Sequence, residues 1–225
     1  ININTNKLSI KDGYIFIKDR YGLIEKRHRS DKISKKFWKK INFYIPILKR
    51  IPFIKMIAVC NTLAFGCPDS DSDIDLLVIT KKNRLFLART FITSITQLLG
   101  IRRHGNKIEK RFCLSFFISE NSMDIDKIRI QNGDPYLAFW SLTLKPIFGL
   151  DTYKKFLQIN EKWIYETTGI KKIDEDYNYI KPNFLSHILI SPLYFSLFSL
   201  HFFLNGKLGN LIEEFLSKWQ IKRCN

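Results

Sequence analysis

The chain has 225 residues, of which 45% are hydrophobic and 14% aromatic. This is enough apolar material for one or two folded domains and excludes a disordered chain. There are 37 Lys and Arg residues against 21 Asp and Glu residues, so the formal net charge at pH 7 is +16. The four cysteines form no Cys-x-x-Cys pair, which argues against a zinc site and favours reduced thiols in a cytoplasmic protein.

Residues 1–52 are predicted to hold a hairpin followed by a basic helix. An Asp12-Gly13 turn separates two short apolar runs, which is typical of a β-hairpin. From Leu23 to Ile45 apolar residues recur every three or four positions, which is helical spacing. Pro46 and Pro52 are expected to kink and end this helix.

Positive charge is concentrated at the start of the chain. Residues 1–55 contain fifteen Lys and Arg residues against four acidic ones. Such a density favours a surface for a polyanion, either nucleic acid, anionic lipid or a triphosphate. A solvated, Lys-rich helix face explains the same composition, so both interpretations stay open. No base-reading motif is present, so sequence-specific nucleic-acid binding is not predicted.

Residues 53–150 are predicted to form the core. The expected elements, in chain order, are strands Phe53–Cys60 and Ile74–Thr80, helix Arg84–Leu99, strand Arg111–Ile118, an edge strand Met123–Ile130 and helix Pro135–Leu144. Strands alternating with helices in this way indicate a small mixed sheet flanked by helices, which is an α+β (α/β) fold.

The stretch between the first two of these strands is the most informative. Asp73 and Asp75 are one residue apart, so their side chains point to the same face of a strand, opposite Ile74. Neighbouring carboxylates repel each other unless a cation lies between them, and oxygen ligands suit Mg²⁺. An ordinary Asx turn is the alternative, because Asp and Ser alternate from residue 69 to residue 73.

This stretch resembles the signature of the polymerase-beta-like nucleotidyltransferase superfamily. In that pattern a hydrophobic strand, a Gly-Ser turn and a spacer precede Asp-hydrophobic-Asp on the next strand. The chain is most similar to uncharacterised bacterial nucleotidyltransferase-domain proteins. The residues that match are Ser72-Asp73-Ile74-Asp75-Leu76 without a gap, together with Leu63, Ala64 and Gly66. The resemblance covers roughly residues 8 to 165.

The resemblance implies a magnesium-dependent enzyme that moves a nucleoside monophosphate from a nucleoside triphosphate (NTP) to a hydroxyl acceptor. Asp73 and Asp75 would be the catalytic residues and the ligands of Mg²⁺. The positions that would contact the nucleotide are Asn61, Thr62, Gly66 and Ser72. On charge and proximity in sequence, and not on the resemblance, Arg102, Arg103 or Lys107 in a basic loop would steady the leaving pyrophosphate.

Two departures from the family pattern weaken the expectation of turnover. The Gly-Ser turn is Asn61-Thr62 here, although Asn is the residue that best tolerates a positive φ after Gly. The third strand lacks the family's third carboxylate, and Ser115 or Cys113 takes that position. The nearest acids, Asp124 and Asp126, are expected in a solvated turn. A catalytically weak nucleotide- or RNA-binding module is therefore the alternative function.

Residues 151–225 are predicted to be helical, with amphipathic helices over Asp151–Thr168 and Leu211–Ile221. Residues 184–204 carry no charged side chain, and this stretch is long enough to cross a bilayer. Its Pro, His and Ser residues lower its hydropathy, which favours a buried or partner-facing helix. A membrane-associated factor is the third function that the sequence leaves open.

Overall fold

The computed structural model describes residues 7–130, 133–170 and 199–222. These residues form the α+β fold that the sequence predicts. A four-stranded mixed sheet is flanked by helices, and a separate two-stranded hairpin lies near the start of the chain.

The hairpin consists of β1 (Leu8–Lys11) and β2 (Tyr14–Ile17) in antiparallel pairing. Its turn residues, Asp12 and Gly13, both have positive φ, at 52° and 79°, as the tight turns of hairpins require. Helix α1 (Gly22–Leu48) follows. The helix ends at Leu48, between the two prolines, and Pro46 lies within its last turn, where Pro46 and Leu48 are both buried.

The main sheet contains β3 (Ile54–Val59), β4 (Ile74–Thr80), β5 (Phe112–Ser119) and β6 (Lys145–Phe148), in the order β5-β4-β3-β6. Strand β4 runs parallel to β5 and antiparallel to β3, and β6 runs antiparallel to β3. The sequence analysis did not predict β6, which forms the edge of the sheet beside β3.

The predicted edge strand Met123–Ile130 is wrong, because this segment contains a 3₁₀-helix at Asp126–Ile128. Met123 and Ile125 are buried, whereas Asp124 forms an ion pair with Lys127 at 3.5 Å. Asp126 likewise forms an ion pair with Arg129 at 2.5 Å. Buried and charged residues therefore alternate as in a strand, although local contacts hold them in a turn.

Five helices complete the described part of the core and the C-terminal region. They are α2 (Asn61–Ala64), α3 (Leu85–Leu98), α4 (Pro135–Thr143), α5 (Leu150–Thr168) and α6 (Lys207–Lys222). Pro135 is the first residue of α4, and Asp134 caps the helix by accepting from the backbone N–H of Leu137 at 2.9 Å. Residues 199–203 are also helical.

The sheet separates two hydrophobic layers. On one face Ile74, Leu76 and Val78 of β4 pack with α1 and α3. On the other face Leu77 and Ile79 pack with α4 and α5. The alternation that the sequence predicts for β4 is confirmed, and it places the carboxylates on the α4–α5 side of the strand.

Most of the uncharged run 184–204 lies outside the described residues, and only 199–204 fall within them. Among the helices over 7–130, 133–170 and 199–222, none is both long enough and apolar enough to cross a membrane.

Candidate functional site

Asp73 immediately precedes β4, and Asp75 is its second residue. Asp75 lies opposite Cys113 in the parallel pairing of β4 with β5. One potential ligand atom from each of Asp73, Asp75 and Cys113 lies within 4.8 Å of the others. This acidic site, as we call the three residues, has a geometry that could hold a metal ion.

Of the two candidates, Ser115 and Cys113, the one that lies opposite Asp75 is Cys113. This pair comes before a register shift between Asp75 and Leu77, beyond which Leu77 lies opposite Phe116. Ser115 is exposed, and its Oγ lies 2.7 Å from the Sγ of Cys113. Ser115 is thus a neighbour of the potential ligand Cys113 and not the residue opposite Asp75.

Arg103 is the basic residue that meets the carboxylates. Its Nη1 donates to Oδ2 of Asp73 at 2.6 Å and lies 3.6 Å from the Sγ of Cys113. The backbone N–H of Arg103 donates to the carbonyl of Phe112, which fixes this part of the loop beside β5. The guanidinium therefore offsets one of the two negative charges at the site.

Asn61 holds the second carboxylate. Its backbone has a φ of 57°, in the left-handed region that Asn tolerates better than most residues. Its Nδ2 donates to Oδ2 of Asp75 at 2.9 Å, and its Oδ1 accepts from Nε1 of Trp140 at 2.9 Å. Sequence analysis missed the role of this amide and of Trp140, because Trp140 belongs to no motif and lies 79 residues away along the chain.

Burial and the neighbouring charge of Asp73 disfavour the ionised form of Asp75. Burial raises the pKa of Asp75, and Asp73 acts in the same direction, whereas the hydrogen bond from Asn61 lowers it. Burial also raises the pKa of Cys113. A divalent cation would stabilise the ionised form of these ligands.

The remaining predicted nucleotide contacts have different surroundings. Thr62 is exposed on α2. Gly66 has a φ of 73°, which favours glycine, and a Cβ there would meet only the guanidinium end of Arg27, at 3.0 Å. The Oγ of Ser72 accepts from the backbone N–H of Asp69 at 2.9 Å, which orders the loop before β4. Thr62 is therefore accessible to a ligand, while Gly66 and Ser72 shape the backbone.

A cavity of about 370 Å³ lies beside the acidic site, and Asn61 is part of its wall. Phe116 and Trp140 form another part of that wall, with ring centroids 5.5 Å apart. Tyr136 and Ile128 line the cavity as well. A mostly apolar, partly aromatic wall suits a flat ring system, so the cavity could accommodate a planar group next to a bound cation.

No protein-family model, curated protein or solved structure matches this chain. Its function is therefore inferred from the geometry of the acidic site and from the chemistry of the side chains around it.

Proposed function

We propose that the protein is a divalent-metal-dependent nucleotidyltransferase. An acceptor hydroxyl oxygen would form a bond to the α-phosphorus of an NTP, the bond from that phosphorus to pyrophosphate would break, and the hydroxyl proton would pass to solvent. The observation that supports this proposal is the acidic site, whose ligand atoms lie within 4.8 Å of one another beside the cavity.

Mg²⁺ is the proposed ion, held by Asp73 and Asp75. Magnesium usually takes one or two protein carboxylates and fills its other positions with water and phosphate oxygens, which fits this pair. When bound, the ion would neutralise negative charge on the triphosphate. Asn61 would keep the carboxylate of Asp75 in place, and the cavity beside it would accept the base. Arg103 would offer its guanidinium to the phosphates.

A nucleotide-binding module with little turnover is the second candidate. It is favoured by β5, which contains no carboxylate and places Cys113 opposite Asp75. Sulfur is a poor ligand for Mg²⁺, so Cys113 would not help to hold a second magnesium ion. The described cysteines, 60, 67 and 113, form no disulfide, which suits the cytoplasmic location that we propose for either function.

Transfer of label separates the two candidates. The protein is incubated with each NTP labelled at the α-phosphate, with Mg²⁺, alone and with cell extract. An enzyme releases pyrophosphate and leaves label on an acceptor. A binding module binds the nucleotide in calorimetry without transfer. If none of the four NTPs binds with Mg²⁺ present, both candidates are wrong.

The acidic site is tested by the double variant Asp73→Asn/Asp75→Asn. We expect it to lose the Mg²⁺-dependent gain in NTP affinity in calorimetry, because neutral amides do not replace the carboxylates as ligands. The matched control is Asp69→Asn/Asp71→Asn, which removes the same charge from two exposed residues of the same loop. A site variant that titrates like the parent protein would place the metal elsewhere.

A further inference from the structure

One face of helix α1 is almost entirely basic. Arg29, Lys32, Lys36, Lys39 and Lys40 fall within an arc of about 100° around the helix axis and extend over about 16 Å along it. Between Arg29 and Lys40 this arc carries no acidic residue, and Glu25, one turn before Arg29, is the nearest acidic residue on the same arc. The opposite side of the helix, which includes Phe37 and Ile41, is buried in the core.

The basic loop before β5 continues this face. Lys40 donates from Nζ to the carbonyl of Lys110 at 2.6 Å and lies over the ring of Phe112 at 5.9 Å. Burial lowers the pKa of Lys40, and the nearby charges of Arg111 and Lys110 lower it further. The repulsion between like charges this close together decreases when a polyanion binds.

The same loop reaches the acidic site. Arg103, eight residues before Arg111, donates to Asp73 at 2.6 Å. We call the combined surface the basic strip. Its members are Arg29, Lys32, Lys36, Lys39, Lys40, Arg103 and Arg111, whereas the ammonium of Lys110 is ion-paired with Glu109. The strip therefore runs from α1 to the carboxylates that we propose as metal ligands.

An exposed aromatic ring lies within the strip. Phe43 is 56% exposed, and it lies on the same arc of α1 as Lys36 and Lys39. Its ring makes an edge-to-face contact with the ring of Tyr44, with centroids 4.9 Å apart. The ring of Tyr44 in turn contacts that of buried Phe112, with centroids 6.0 Å apart, so Phe43 packs against ordered aromatic side chains. Aromatic rings among cations are the pattern that binds single strands, with phosphates on the cations and bases stacked on the rings.

We infer that the basic strip binds a single-stranded nucleic acid and leads its end to the acidic site. The terminal hydroxyl of that strand would be the acceptor in the proposed transfer. The role as acceptor rests on the proposed function, whereas strand binding does not. An anionic membrane fits less well, because α1 buries its apolar side in the protein and leaves no broad apolar face for a bilayer.

Binding is measured by fluorescence anisotropy with labelled 12-nucleotide single-stranded RNA and DNA, in EDTA, over a series of NaCl concentrations. The test variant is Lys32→Gln/Lys36→Gln/Lys39→Gln. We expect the slope of log affinity against log salt to fall by about 2, as for three lost phosphate contacts. The matched control, Lys154→Gln/Lys155→Gln/Lys162→Gln, removes the same charge from exposed positions of α5, on the other face of the sheet. It should bind like the parent protein.

Stacking is tested by Phe43→Ala, which should weaken binding about tenfold. Phe215→Ala is the control, because Phe215 is 69% exposed on α6 and lies outside the strip. Thermal melts by circular dichroism establish that every variant is folded. A comparison of the RNA with the DNA oligonucleotide shows which strand the strip prefers.

The inference is overturned if both triple variants lose binding equally, or if the α1 triple variant binds like the parent protein. It is also overturned if vesicles of phosphatidylserine and phosphatidylcholine bind while neither oligonucleotide does. A protein that binds NTP and Mg²⁺ but no strand would refute the strip alone. One that binds the strand but no NTP would refute the proposed function alone.

Discussion

The side chain of Asn61 connects the acidic site to the helical layer behind it. It donates to Asp75 and accepts from Trp140, and its backbone adopts a left-handed conformation. Asp lacks the amide donor, and Gly lacks both side-chain groups. Asn therefore combines a tolerable backbone strain with two hydrogen bonds that fix a carboxylate.

Asn61→Gly should lower the free energy of unfolding by about 1–2 kcal/mol, because the lost hydrogen bonds outweigh the relief of strain at φ 57°. Asn61→Ala should cost about 1 kcal/mol more, since Ala gains no freedom in the left-handed region. Urea unfolding of the two variants measures both effects. A Gly variant that is more stable than the parent protein would show that backbone strain dominates.

If the site holds Mg²⁺ as we propose, Cys113 limits the number of oxygen ligands that it offers. It faces Asp75, so Cys113→Asp would place a third carboxylate at the site. We expect this variant to bind Mg²⁺ more tightly with NTP and to raise any Mg²⁺-dependent transfer about tenfold or more. Ser115→Asp is the matched control, two residues on and exposed, and should give a smaller gain. A larger gain from Ser115→Asp would mean that Ser115 holds the third position.

At the scale of elements, the junction between β6 and α5 determines how closely helix and sheet pack. Gly149 precedes α5 with a φ of 77°. A Cβ at this position would lie 2.0 Å from the carbonyl oxygen of Lys55 in β3. Only a residue without a side chain allows β6 and α5 to approach the central sheet this closely.

Gly149→Ala should therefore lower the free energy of unfolding by about 3–5 kcal/mol, through backbone strain and overpacking together. Gly100→Ala is the control for strain alone. Gly100 has a φ of 64°, and nothing lies within 4 Å of its added Cβ, so about 1 kcal/mol is expected. Guanidinium unfolding of the two variants gives the difference. Equal losses would show that β3 moves aside at little cost.

At the scale of the whole molecule, polar contacts attach the C-terminal helix to the core. Arg84 is buried at the start of α3 and donates to the carbonyl of Leu204 at 2.9 Å and to Oδ1 of Asn210 at 2.7 Å. Glu213 of α6 accepts from the backbone N–H groups of Phe86 and Leu87, both at 2.8 Å. One helix thus caps the N-terminus of another.

Glu213→Ala should destabilise the protein by about 1–2 kcal/mol, because the first turn of α3 loses a charged acceptor for two N–H groups. It should also speed proteolysis within α6, whose attachment is weakened. Glu214→Ala is the matched control. Glu214 pairs only with exposed Lys218 among the described contacts, so no measurable change is expected. Thermal melts and limited proteolysis test both variants. Similar behaviour of the two would show that apolar packing alone holds α6.

The sequence by itself determined the elements with a clear local period. The Asp-Gly turn of the hairpin, the alternation along β4 and the helices α3 and α5 were predicted, because each depends on residues a few positions apart. That Asp73 and Asp75 share a face also follows from the period of a strand. Thus the sequence supplied the two carboxylates at the centre of the site.

Only the tertiary structure decided what surrounds those carboxylates. The pairing of β4 with β5 placed Cys113, and not Ser115, opposite Asp75. The hydrogen bond that Trp140 donates to Asn61 joins residues 79 positions apart, and the one that Arg103 donates to Asp73 joins residues 30 positions apart. Lys40 donates to Lys110 across 70 positions. No repeating pattern of nearby residues in the sequence predicts such long-range contacts. They are set by the order and register in which the strands pair, since these determine which distant side chains meet.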